Sequence, residues 1–141
     1  MTLVLDTSGL LAALTLDEPA HAAARDALAS AQGPLLLSPF VLAELDYLLL
    51  TSHRGVTAEL EFLEEVAGGS YELATFSAGD VAAARGVVDS YRDLGIGLAD
   101  ASLVVLAERC GTRRILTLDE RRFRALRASD GSAFVLLPAD A

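Results

Sequence analysis

A chain of 141 residues fits a single domain over residues 1–141 and can bury about two-thirds of its unfolded surface. Hydrophobic residues at 52% against 22% charged exclude a disordered chain. A net charge of -9 argues against general affinity for nucleic acid, yet seven of the 11 basic residues lie between Arg109 and Arg127, against only Asp119 and Glu120.

Every basic residue is Arg, whose planar fork suits bidentate phosphate contact. Charges cut the apolar stretches well short of the ~18 residues that span a bilayer, and Met1 to Leu14 lacks the basic start of a signal peptide. Cys110 stands alone, so an intrachain disulfide is excluded and a structural zinc site is unsupported. The expected location is the cytoplasm.

In chain order, Leu3 to Leu5 is a short apolar run ending at Asp6, and helical patterns follow over Leu10 to Leu14 and Ala20 to Ala31. Pro34 to Leu37 forms a second buried run. Ser38 then reads as an N-cap and Pro39 as the first position of a helix reaching Leu50. A helix over Thr57 to Val66 closes at Gly68 and Gly69, and Tyr71 to Phe76 reads as a strand. Ser77 to Asp80 has the form of a capping box opening a helix to Arg92. Beyond Gly95 and Gly97 come a helix over Leu98 to Arg109, a strand over Arg114 to Leu118, a short helix over Glu120 to Arg127 and a last strand over Phe134 to Leu137.

Strands written as continuous apolar runs between helices imply an α/β fold with a buried parallel sheet. Ligands of such sheets bind beyond the carboxyl ends of the strands. Asp6 and Asp119 are each the first charge after an apolar run, where a carboxylate points into that crevice or caps the next helix. On the helix from Pro39, residues Phe40, Val41, Glu44, Leu45 and Leu48 share one side, so Glu44 interrupts a core-facing stripe or reaches water at its edge. Asp46 lies off the stripe. Asp100 falls in the first turn of its helix, where the dipole favours a carboxylate.

If these four acids converge, they make a hard-oxygen site for Mg²⁺ or Mn²⁺, with no His or Cys among the donors. Thr7, Ser8 and Thr117 flank the strand-end acids and can orient a carboxylate or serve turns. Arg121, Arg124 and Arg127 recur every three residues and can share a helix face, a candidate nucleic-acid-phosphate patch or a solvated face. His21 and His53 read as surface or capping residues, and Cys110 as a buried small hydrophobe. The leucines from Leu42 to Leu50 exceed what one core face needs.

The combination resembles a PIN-domain ribonuclease of the VapC toxin type. It comprises Asp6-Thr7-Ser8 after the first strand, Glu44 in the helix after Ser38-Pro39, Leu98-Ala99-Asp100-Ala101, and Thr117-Leu118-Asp119 followed by Phe123. The resemblance implies a three-layer α/β/α sandwich with a mostly parallel sheet of four to five strands. It implies an endoribonuclease dependent on Mg²⁺ or Mn²⁺, with Asp6, Glu44, Asp100 and Asp119 binding the metal and Thr7 and Thr117 in support. Its substrate would be a tRNA or an rRNA loop, its regulator a cognate VapB-type antitoxin, and its assembly a homodimer. Many relatives carry another acid where this chain has Arg121, which leaves one or two metals open.

Other functions fit less well. A phosphoacceptor receiver needs a lysine that this chain lacks, and a phosphatase with an aspartyl nucleophile needs an acid at position 8, which is Ser. A non-catalytic PIN-like module binding RNA or protein remains the alternative.

Overall fold

A computed structural model describes residues 1–141. The strands are β1 (Leu3–Leu5), β2 (Leu35–Leu37), β3 (Glu72–Leu73), β4 (Arg114–Leu116) and β5 (Val135–Leu137). The helices are α1 (Thr7–Leu14), α2 (His21–Ser30), α3 (Pro39–Leu50), α4 (Val56–Ala67), α5 (Ala78–Ser90), α6 (Leu98–Cys110) and α7 (Glu120–Ala125), with a 3₁₀ turn at Arg92–Leu94.

All five strands are parallel in the order β3-β2-β1-β4-β5. The chain steps one way from β1 through β2 to β3, then returns to the far side of β1 for β4 and β5. The helices that connect these parallel strands cover the sheet on both faces, giving the three-layer sandwich. Leu3, Val4 and Leu5 of β1 are all buried, as a strand covered on both faces requires.

The strand order reverses beside β1, so β1 and β4 are the neighbours at the switch point, paired Val4 with Ile115 and Leu5 with Leu116. The Asp6 N–H extends this ladder, donating to the Leu116 carbonyl at 2.9 Å. Gly9 lets α1 lie directly on β4: a Cβ there would stand 2.7 Å from the Leu116 carbonyl oxygen.

Several boundaries differ from the sequence reading. The expected strand from Tyr71 keeps only Glu72 and Leu73, at the sheet edge, while Tyr71 and Ala74 turn into the core. The strand from Arg114 ends at Leu116; the Thr117 N–H still reaches the Leu137 carbonyl at 2.9 Å, but the Leu118 N–H turns away to the Ser8 hydroxyl. The last short helix stops at Ala125, so Arg127 does not share a helix face with Arg121 and Arg124; Leu126 is fully buried instead. Cys110 is exposed at the end of α6, not buried, with Gly111 capping the helix in the left-handed region. Half-buried His21 begins α2, with Nδ1 2.9 Å from the Ala12 carbonyl.

Candidate functional site

The strand ends carry a network built on one carboxylate oxygen. Ser8 Oγ and Thr117 Oγ1 both donate to Asp6 Oδ2, at 2.9 and 2.7 Å. Each hydroxyl in turn accepts a backbone N–H: Leu118 donates to Ser8 Oγ and Asp119 to Thr117 Oγ1, both at 3.0 Å. The loop after β4 is thus locked to the loop after β1. Asp6 stands at the N-cap of α1, yet its side chain makes no capping bond, so the plain helix-cap role does not describe it.

Asp6 is only 6% exposed. Burial pushes its carboxyl above the ordinary range, the Thr117 and Ser8 donors pull it back, and the Asp100 charge pushes it up again. Asp100, on the first turn of α6, is also raised by burial, against the lowering effect of Arg122, with the charges of Glu44 and Asp119 adding to the rise. Asp100 is thus the acid that lies within charge range of each of the other three.

The helices bearing Glu44 and Asp100 are pinned at their starts. Ser38 Oγ accepts from the Phe40 N–H at 3.2 Å, the expected cap. Its own proton goes to Ser102 Oγ at 2.8 Å, because the Ser102 hydroxyl is spent on the Ala99 carbonyl at 2.6 Å.

Glu44 does not interrupt a core stripe. Val41, Leu45 and Leu49 form the buried side of α3, while Glu44 and Leu48 face water at its edge. Asp46 is the half-buried acid of this helix, and hydrogen bonding to it raises the carboxyl of Glu59 on α4. Thr7 is buried with no partner for its hydroxyl, so the support expected from Thr7 comes from Ser8. Asp119 is half-buried and caps α7, accepting the Arg122 N–H at 3.1 Å.

The basic residue turned onto these acids is Arg122, which its sequence neighbours Arg121 and Arg124 overshadow in the linear pattern. Its Nη1 donates to Asp100 Oδ2 at 2.7 Å, and its Nε lies 3.6 Å from Asp119 Oδ2. The available signal was its position three residues after Asp119, which places both on one side of a helical turn. Arg124 is engaged elsewhere, bidentate to Asp140 at 2.7 and 2.8 Å and bonded to Glu120 at 3.1 Å. Arg121 is exposed beside Asp93, Leu94, Asp119 and Arg122 around a hollow of about 350 Å³. A larger hollow, about 530 Å³, lies next to it along Asp89 to Leu94.

The donor chemistry fits a hard divalent ion: four carboxylates, no softer ligand and an unpartnered buried hydroxyl at Thr7. As placed, no three such side chains stand close enough to hold one. Two of the four are held by Arg122.

Residues 3–128 match the PIN domain family. The chain belongs to that family. Among PIN-domain proteins it is 48% identical to Ribonuclease VapC26 of Mycobacterium tuberculosis over 136 residues, which is 96% of this chain and 100% of that protein. This PIN domain is therefore of the VapC type. Its fold is similar to that of VapC20 from Mycobacterium tuberculosis, a toxin described as cleaving the sarcin-ricin loop: the TM-score is 0.75 at 19% identity, covering 85% of this chain and 92% of that one. The fold also resembles VapBC2 of Rickettsia felis, bound to a DNA fragment from its promoter, with a TM-score of 0.66 at 21% identity over 89% of this chain and 93% of the other. No helix of this PIN domain is long and apolar enough to cross a membrane.

Proposed function

We propose that the protein is a VapC-type endoribonuclease toxin that hydrolyses phosphodiester bonds in RNA with Mg²⁺ or Mn²⁺. The observation that carries this reading is the near-complete alignment to Ribonuclease VapC26 combined with four acids around the β1–β4 switch point. Asp6, Asp100, Asp119 and Glu44 would hold the ion. When bound, it supplies an acidified water and offsets charge on the attacked phosphoryl group. Ser8 and Thr117 fix Asp6 in one orientation, so little side-chain freedom is lost as the ion and substrate arrive. Ser38 and Ser102 hold the starts of α3 and α6 in register, which sets the separation of Glu44 and Asp100. Exposed Arg121, at the mouth of the hollow beside Asp119, is the nearer candidate for an RNA phosphate, since Arg124 is committed to Asp140 and Glu120.

The substrate would be a tRNA or an rRNA loop, in keeping with the sarcin-ricin loop named for VapC20. A VapB-type antitoxin would neutralise the toxin, in keeping with the VapBC pairs of Rickettsia felis and nontypeable Haemophilus influenzae, the latter similar in fold with a TM-score of 0.62 at 17% identity. Apolar side chains exposed on α3 and α4, among them Tyr47, Leu50 and Leu60, support association with such a partner or with a second copy. The cytoplasm is the expected compartment for all of these encounters.

The test is cleavage of a total tRNA and rRNA pool with Mg²⁺, Mn²⁺ or EDTA, beside the Asp6→Asn, Asp100→Asn double variant. Discrete cuts that need metal and vanish in the variant are the expected result. The Arg122 contacts favour a second reading, a non-catalytic module whose acids are neutralised internally. RNA binding without cleavage or metal uptake would establish that one.

A further inference from the structure

Arg122 carries the only guanidinium in contact with the candidate metal ligands. It stands in the first turn of α7, which Asp119 caps, so its backbone N–H and its side chain engage the same acidic cluster from one helix. Its side chain is 38% exposed and reaches in from the hollow it shares with Arg121. The oxygens it occupies, Asp100 Oδ2 and Asp119 Oδ2, are among those a divalent ion would use. A carboxylate oxygen in contact with a guanidinium has one lone pair engaged and a positive charge beside the other, so a second cation approaching that oxygen competes with the first.

Resting on the metal-dependent reading above, we infer that Arg122 is a tethered counter-cation: it holds Asp100 and Asp119 in the metal-free protein and must leave their oxygens before a divalent ion binds, so it weakens metal affinity. Four carboxylates around one switch point repel each other, and a built-in positive charge relieves that repulsion until metal arrives. This also accounts for the acids not standing as a closed cage: the ion pair spreads them around a planar group larger than a divalent ion. Arg122 is on this account a positioning residue. It acts through Asp100 and Asp119, and a purely structural ion pair in its place would alter stability without competing for metal.

The experiment is calorimetric titration of Mn²⁺ into wild type, Arg122→Gln, Arg122→Met and Arg122→Lys. The two neutral variants are expected to bind Mn²⁺ about tenfold tighter, the change that corresponds to one charge-assisted contact of about 1.4 kcal/mol no longer being displaced. Arg122→Lys, which keeps the charge, stays near wild type. In EDTA the neutral variants melt below wild type, since they lose the counter-charge. Folded neutral variants that bind no tighter than wild type overturn the inference while leaving the metal-dependent reading intact. Absence of Mn²⁺ binding in all four proteins overturns both.

Discussion

Asp6 retains an acid where burial favours the protonated form, and its two hydroxyl donors are what oppose that tendency. Each of those donors also accepts a backbone N–H, so removing Ser8 would strand the Leu118 N–H on the opposite loop and removing Thr117 the Asp119 N–H on its own. Asp140 illustrates the reverse shift. The Arg124 fork and the Leu136 N–H hold its carboxyl well below the usual range, at about 2. A depressed folded value stabilises the fold above the ordinary carboxylate range and loses that contribution as pH falls toward 2. Acid unfolding followed by circular dichroism should therefore show a smaller stability loss between about pH 4 and pH 2 in Asp140→Asn than in wild type. Equal losses would mean that the exposed pair is too well solvated to matter.

At the scale of elements, the site depends on how closely α1 and β4 approach. Gly9 sits inside α1, where helix propensity alone makes alanine better by about 1 kcal/mol. The Leu116 carbonyl, 2.7 Å from the would-be Cβ, is sheet backbone and cannot step aside cheaply. Overpacking of this kind costs roughly 1–3 kcal/mol, so the clash outweighs the propensity gain. Gly9→Ala should lower the melting temperature and weaken cleavage together, because the same displacement separates Asp6 from Thr117; an unchanged melting temperature would show that α1 can tilt freely. The elements themselves were largely legible in the chain. Ser38-Pro39 marks the start of α3, Ser77 to Asp80 closes a full capping box, and each apolar run becomes a strand. Strand ends were less legible: Thr117 and Leu118 have strand-like composition, yet only Thr117 still donates its N–H to the Leu137 carbonyl, while the Leu118 N–H goes to the Ser8 hydroxyl instead.

The whole molecule is acidic, and four of its carboxylates lie near the point where the strand order reverses. Such a fold gains stability when a cation binds the native state. At a hundredfold excess over Kd the gain is about 2.7 kcal/mol, or roughly 8 °C for a domain of this size. Mn²⁺ should raise the melting temperature of wild type by that order and leave the Asp6→Asn, Asp100→Asn variant where it stands. An equal rise in both would assign the effect to general screening of the negative surface.

By itself the sequence determined the α/β class, the strand–helix order and three of the four acids as strand-end or first-turn residues, because apolar runs, caps and charge breaks act over a few neighbouring residues. The tertiary structure decided that Glu44 lies at the water edge of α3, that Ser8 and Thr117 share one oxygen of Asp6, and that Arg122, not Arg121 or Arg124, faces the acids. Those outcomes turn on contacts such as Thr117 with Asp6, 111 residues apart, which exist only once β4 has been placed beside β1.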